Sequence, residues 1–305
     1  MLDILRFKHR IVRDLAWVIA SPPLVCGDFA GVNWWDDDHC AQEYQACQPA
    51  LVTLDQNPQP LLDVLSQLKS RALGHRFEAL IAYWLTISPN YQILTRNLQL
   101  HHDGRTLGEL DFIVRDLQSD AVIHLEVSVK FYMGLSPQSS QYRWFGPNLK
   151  DCLGKKVDHL KQHQTQLSIL YPELMPQTID QRCCCMKGRL FYPEQGSDRS
   201  GPNDINPNHL HGVWGEDVAG FVRDNGFEIV PSNSQHLAIK KPQWLSEFGA
   251  RDIKEYETWV EASSTQSTTE KSPTCFVITD TEREFIRYFE FPAGYFESVS
   301  GGSQT

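Results

Sequence analysis

The sequence predicts an α/β protein in which helices flank a sheet, and three observations predict it. Apolar residues recur at helical spacing from Leu61 to Leu85, through Leu61, Leu65, Leu68 and Ala72 and then Phe77, Leu80, Ile81, Trp84 and Leu85. Three extended segments follow: Tyr91–Leu100, Leu107–Leu117 and Ala121–Met133. Polar turns at His101-His102-Asp103-Gly104 and Asp116–Asp120 separate them, and Asp-Gly is a hairpin signal. Helical spacing then resumes after Gly146-Pro147 and runs to about Leu170, through Leu149, Leu153, Val157, Leu160, Gln164 and Leu167.

The remaining elements are read around this centre. Phe7–Ile19 has helical character and stops at Ser21-Pro22-Pro23. Residues 26–60 read as irregular, with Asp36, Asp37 and Asp38 forming a solvated helix start or a loop, and Pro58 and Pro60 closing the stretch. Gly74 either separates two helices or weakens one long helix. Lys150, Lys155, Lys156, His159 and Lys161 make the strongest positive patch of the chain. Beyond Tyr171, Arg189–Tyr192 reads as a strand, Phe221–Val230 and His236–Ile239 as sheet elements or their ends, Cys275–Thr279 only as the far flank of a Ser/Thr-rich segment, and Phe285–Phe289 as ordered. Ser197–Asn208 reads as a loop, Ser263–Thr269 as a mobile segment after Tyr256–Ala262, and Ser298–Thr305 as a frayed tail. The expected organisation is an N-terminal extension over 1–60, an α/β core over 61–195, and a C-terminal extension over 196–305 integrated with the core.

Composition narrows the functional classes. With 41% hydrophobic and 22% charged residues the chain belongs with globular proteins. No apolar run reaches bilayer length, and Lys8, His9, Arg10, Arg13 and Asp14 stand where a secretory leader would be apolar, so a cytoplasmic protein without a membrane partner is expected. A net charge of −10 argues against a basic coat protein for nucleic acid. It leaves room for an enzyme that confines positive potential to one groove. The eight cysteines follow no disulfide framework and read as reduced thiols. Cys183, Cys184 and Cys185 are adjacent and do not easily converge on one tetrahedral metal; His209 and His211 would complete a site with one of them as the alternative, but thiols lining a strand or turn are expected.

The chemistry concentrates in the second and third strands. Glu109, Asp111 and Ile113 share one face, and Glu126, Ser128 and Lys130 share one face of the next strand. Pairing through the Asp116–Asp120 turn makes Asp111 and Glu126 cross-strand neighbours. Two carboxylates held together call for a cation, and magnesium suits oxygen ligands with water completing its shell. Lys130 would then orient water or balance charge on a phosphate, and Glu78 would add a ligand or hold a water. The plain structural alternative is a half-buried hairpin with a Glu126–Lys130 or Asp111–Lys130 salt bridge.

These pieces, Gly108–Asp111 and Glu126–Lys130, resemble the PD-(D/E)XK nuclease superfamily over about residues 70–170. Most of the chain resembles the bacterial family DUF1853, through Arg13-Asp14-Leu15-Ala16-Trp17, Ser21-Pro22-Pro23-Leu24, Arg76-Phe77-Glu78, Thr106–Phe112, His124–Tyr132 and Gly146-Pro147-Asn148 with Asp151 and Lys155. The resemblance implies a restriction-endonuclease-like core: a helix, a bent antiparallel meander, another helix and a further strand, in a mixed sheet flanked by helices. It implies Glu78, Asp111, Glu126 and Lys130 as catalytic residues, with Asp111 and Glu126, and Glu78 beside them, as ligands of Mg2+ or substituting Mn2+. It also implies hydrolysis of nucleic acid, with DNA as the expected substrate. Two departures stand out. Ser128 occupies the superfamily's lysine position, with Lys130 one pleat farther along at roughly 6.6 Å, and Leu110 replaces the proline before the first acid. Gln164 resembles the downstream glutamine of some nuclease subgroups, and its structural reading is a hydrogen bond across the helix–sheet seam. His124 reads as a substrate contact or a satisfied structural histidine, and Asp151, Lys155 and Lys156 as groups that bind or orient phosphates or as ordinary helix ion pairs. Two other functions compete: a catalytically inactive scaffold binding nucleic acid or protein, and an enzyme for another phosphate-containing substrate. For a scaffold, Trp34, Trp35, Trp144 and Trp214 are surface candidates, with core packing as the alternative.

Overall fold

The meander forms because its turns leave the backbone one inexpensive conformation. In the computed structural model, Asp103 and Gly104 take φ of 48° and 74°, the paired left-handed conformation of a two-residue hairpin. The second turn is closed by the Asp116 carboxylate, which accepts from Gln118 N at 2.8 Å and from Ser119 Oγ at 2.8 Å. These turns join β3 (Tyr91–His102), β4 (Arg105–Asp116) and β5 (Val122–Gly134) in antiparallel order. The structure describes residues 3–29, 31–136, 139–195, 201–202, 204–225, 236–255, 272–279 and 283–297.

The fold is mixed α/β, a central sheet flanked by helices, and the chain divides into two compact units. The first comprises Met1–Lys130, Gly154–Gly188 and Asn203–Leu210. Its helices are α1 (Arg10–Ala20), α2 (Asp37–Gln56), α3 (Gln59–Ser66), α4 (Leu73–Ile87), most of α5 (Leu153–Gln162), and the single turn α6 (Leu167–Leu170). Its sheet runs β3-β4-β5-β7, where β7 spans Gln181–Pro193. Strand β2 (Val32–Trp34) lies parallel to β7, and β1 (Gly27–Phe29) pairs with β2. The second unit comprises Phe131–Leu153, Arg189–Pro202 and His211–Thr305. There β6 (Trp144–Phe145) pairs with the end of β5, and the end of β7 continues in the order β8 (His211–Gly215), β11 (Glu284–Glu290), β10 (Thr274–Thr279) and β9 (His236–Ile239). Two Glu–Arg pairs sit inside it, Glu284–Arg287 at 2.6 Å and Glu247–Arg189 at 3.5 Å.

Several expectations change. Residues 37–56 are one helix, not an irregular stretch. Its buried face is Cys40, Glu43, Tyr44, Cys47, Leu51 and Leu54, a helical repeat written largely in thiols and polar residues. Buried Glu43 accepts from Trp84 Nε1 at 3.1 Å, Ser88 Oγ at 2.8 Å and Asn90 Nδ2 at 2.6 Å, tying α2 to α4 and β3. The acidic run does start a helix: Asp36 caps it by accepting from His39 N at 2.9 Å. The stripe from Leu61 breaks before Leu73, and Gly74 lies inside the first turn of α4 rather than between helices. After Gly146 the chain loops back, with Gly146 N donating to Asp151 O at 2.9 Å, so the helix begins only at Leu153 and is interrupted after Gln162. Val218–Asp224 is a helix, α7, because Asp217 caps Gly220 N at 2.9 Å, where a sheet element was expected from Phe221. Residues 226–230, 256–262, 263–269 and 298–305 lie outside the described residues, as does part of 197–208. The tryptophans lean to packing: Trp34, Trp35 and Trp144 are buried, and half-buried Trp214 donates to Gly134 O at 3.0 Å.

Strands β5 and β7 approach closely at Gly188, whose φ is 144° and where any Cβ would collide with the Lys130 carbonyl. Gly188→Ala should therefore lower stability by roughly 2 kcal/mol or more. A denaturant midpoint equal to wild type would show that the two strands have room to part.

Candidate functional site

The β4–β5 ladder pairs Arg115 with Val122 through to Phe112 with Leu125. At the next step the acid side chains take over the backbone's work. Val127 N donates to Asp111 Oδ2 at 2.9 Å, and Asp111 N donates to Glu126 Oε1 at 3.3 Å. Each carboxyl thus holds an amide beyond the ladder, which brings Asp111 and Glu126 together as the alternation predicts.

Their depths differ. Glu126 is 3% exposed, whereas Asp111 is half-buried and lines a cleft of about 210 Å³ with Glu78, His75, Ala79, Arg96 and Asn97. Asn97 adopts φ of 53° where β3 runs opposite Asp111. Burial, then the charge of Glu126, pushes the Asp111 carboxyl up to about 8. Burial also pushes Glu126 up to about 8, against the opposing hydrogen bond from Asp111 N and the charge of Lys156. Glu78 is raised as well, by burial first, with His75 and Lys156 opposing and Glu109 reinforcing. The Lys156 ammonium is therefore the cation common to all three acids.

Behind Glu126 stands a buried chain. His124, 0% exposed, places Nε2 2.8 Å from Glu126 Oε1 and Nδ1 2.9 Å from Ser168 Oγ. Burial pushes its imidazole down to about 4. His124 is thus a satisfied interior histidine, and a direct substrate contact is excluded by its burial. The α5–α6 segment is pinned over the strands here: Gln164 Nε2 donates to Glu109 O, the seam bond expected of it, and Leu167 covers Gly108. Glu109 itself accepts from Asn97 Nδ2 at 3.3 Å and Gln99 Nε2 at 3.2 Å.

Lys130 is half-buried on β5, four residues after Glu126. Ser128, at the usual lysine position, has a buried Oγ with no hydrogen-bond partner among the described residues. Lys155 is exposed, and Asp151 belongs to the second unit, where it accepts from Tyr132 Oη at 3.1 Å. Cys183, Cys184 and Cys185 line β7 as buried thiols, with burial pushing Cys183 and Cys185 up to about 12. His209 Nδ1 faces Asn206 O at 2.6 Å. Among the described residues, no three His, Cys, Asp or Glu side chains converge closely enough to hold a metal by themselves. Nor is any described helix long and apolar enough to cross a membrane.

The sequence reading missed the Ser168 end of the buried chain and the influence of the Lys156 charge on all three acids. Both depend on how α5 and α6 dock, and the only local hint was that His124 has the same strand parity as Glu126.

Fold and site thus define a mixed α/β protein with an interior pair of acids at the wall of a small cleft. The family model of DUF1853, a domain of unknown function, matches residues 13–287, and the chain belongs to that family. No curated protein and no solved structure matches it significantly.

The pair sets a pH dependence in metal-free protein. A carboxyl whose pKa rises from 3.8 or 4.5 to about 8 on folding keeps its proton in the native state, so its stabilisation is full at low pH and is lost as pH rises toward 8. His124 acts oppositely below 6.5, its unfolded value. Between pH 6.5 and about 8 the acids act alone, and stability should fall. Urea titrations should show that slope flattened in Asp111→Asn; an unchanged slope would mean that Asp111 is ionised throughout.

Proposed function

We propose that the chain is a divalent-metal-dependent phosphodiesterase acting on nucleic acid, with DNA as the expected substrate. The observation that carries this reading is the Asp111–Glu126 pair beside an accessible cleft, whose ionisation is opposed by burial and, at Asp111, by the charge of Glu126, so that a cation would favour it. In this reading α4, the meander, α5 and β7 correspond to a restriction-endonuclease-like core.

The residues present fit a magnesium ion of the sparsely liganded kind, held by one or two carboxylates with water and substrate oxygens completing its shell. Asp111 and Glu126 would hold it, and manganese would serve in its place. Asp111 Oδ2 is taken by the Val127 amide, and the buried Ser128 hydroxyl along β5, without a partner among the described residues, provides for a further polar occupant. Such an ion supplies Lewis-acid polarisation of a phosphoryl oxygen. Glu78, across the cleft from Asp111 and with its pKa raised by burial, is placed to accept a proton from an attacking water. Arg96 and His75 on the cleft wall would contact phosphate oxygens. Lys130 from the strand and Lys156 from α5 would offset charge developing on phosphorus.

Ser128 in place of the strand lysine supports a second reading, a non-catalytic nucleic-acid- or protein-binding scaffold. The two separate cleanly, because scaffold binding survives chelation and Asp111→Ala.

Purified protein with Mg2+ or Mn2+ should cleave some member of a panel of single- and double-stranded DNA and RNA, and a chelator should stop it. Asp111→Ala and Glu126→Ala should each reduce the rate on the order of 10² to 10³-fold. Comparing Lys130→Ala with Lys156→Ala identifies the working amine by the larger loss. Failure to cleave the whole panel sinks the proposal. A further expectation concerns His124, which orients Glu126: His124→Ala should weaken Mn2+ binding by about 10–100-fold, with partial recovery in His124→Gln. Calorimetric titration checks this, and wild-type affinity in His124→Ala would remove its orienting role.

A further inference from the structure

Lys187 is a buried cation that the candidate site does not use. It lies on β7 one residue before Gly188 and is 0% exposed. Three groups meet its Nζ: the Ser21 carbonyl, the Ile19 carbonyl at 3.4 Å, and Cys40 Sγ at 2.9 Å. No carboxylate is among these partners. An ammonium buried against carbonyls and a thiol is an expensive arrangement, since nothing in the set carries a full opposing charge. The Nζ–Sγ separation is also short. It equals the usual N–H···O distance although sulfur is the larger atom.

Cys40 is likewise 0% exposed, in the first turn of α2. The pair therefore joins three elements of one unit: α2 through the thiol, the end of α1 through the two carbonyls, and β7 through the lysine. A second thiol, Cys185, precedes Lys187 by two residues on the same face of β7 and is 1% exposed.

We propose that Lys187 and Cys40 form a modification site, at which oxidation by a peroxide joins them in a covalent lysine–cysteine bridge. The Cys40 sulfur attacks the peroxide O–O bond, giving the sulfenic acid and one water. The Lys187 ammonium releases one proton to solvent, and the resulting amine attacks that sulfur. An S–N bond forms, the S–O bond breaks, and the departing hydroxide takes the second nitrogen proton as a second water. Overall, one thiol, one ammonium and one hydrogen peroxide give one S–NH linkage, two waters and one released proton; sulfur loses two electrons and peroxide gains them. Capture of a sulfenic acid by a neighbouring nitrogen is ordinary cysteine chemistry, and here it replaces a costly interior ammonium with a neutral bond. The inference is independent of the nuclease reading.

The test treats the full chain with hydrogen peroxide, digests it with trypsin and maps the peptides by mass. Expected are loss of cleavage after Lys187 and a cross-linked pair of peptides two hydrogens lighter than their sum, both reversed by a thiol reductant. The same pair retaining one oxygen, as an N–O–S bridge made with a second peroxide, also supports the site. The cross-link should persist in Cys185→Ser and vanish in Cys40→Ser. If Cys40→Ser fails to fold, the wild-type comparison with and without reductant decides alone. Continued cleavage after Lys187, with Cys40 recovered as free thiol, as sulfinic acid or disulfide-bonded to Cys185, overturns the proposal.

Discussion

Two carboxyl groups doing the work of backbone ladder bonds is the constraint on which the first unit's candidate site depends. Where β4 and β5 stop pairing, Asp111 holds the Val127 amide and Glu126 holds the Asp111 amide. The exchange satisfies buried N–H groups that would otherwise be orphaned. It also forces two acids into proximity in a region of low polarity. Structure and chemistry here are one arrangement, because the bonds that open the strands are the bonds that bring the acids together.

Everything around the pair either supports it or responds to it. His124 and Ser168 fix Glu126 from behind, and Gln164 clamps the segment that carries Ser168 onto the Glu109 carbonyl. The charge of Lys156 on α5 acts on all three acids, and Glu78 from α4 lines the same cleft as Asp111. A supported pair of this kind is what a metal-dependent hydrolase requires, since a ligand held by packed neighbours keeps its geometry when the cation is absent. Membership of DUF1853 adds no activity of its own, so the functional reading rests on this geometry.

The second unit is organised by a different solution to buried charge. Arg287 donates to both Glu284 oxygens and to the carbonyls of Trp244 and Ser246, so each guanidinium nitrogen is hydrogen-bonded and its charge is paired. Lys187, in the first unit, has no carboxylate hydrogen-bonded to it among the described residues. The contrast separates a paired interior cation, which is structural, from one whose surroundings invite chemistry.

Period-two alternation and the Asp-Gly turn made the meander and its acid faces legible in the sequence, because strand periodicity and turn conformation are local properties. Helix α2 was not legible, since its buried face is spelled in Cys40, Glu43, Tyr44 and Cys47 rather than in aliphatic residues, and Glu43 becomes an interior residue only once Trp84, Ser88 and Asn90 arrive to bond it. The sequence by itself determined that Asp111, Glu126, Ser128 and Lys130 occupy neighbouring strands with a common parity. Tertiary structure alone decided which cation's charge bears on the acids, that His124 is interior, and that Cys40 touches Lys187. Those outcomes join residues 44 and 147 positions apart for His124–Ser168 and Cys40–Lys187. Such contacts are set by how helices dock on the sheet, a free energy summed over many side chains that no local pattern records.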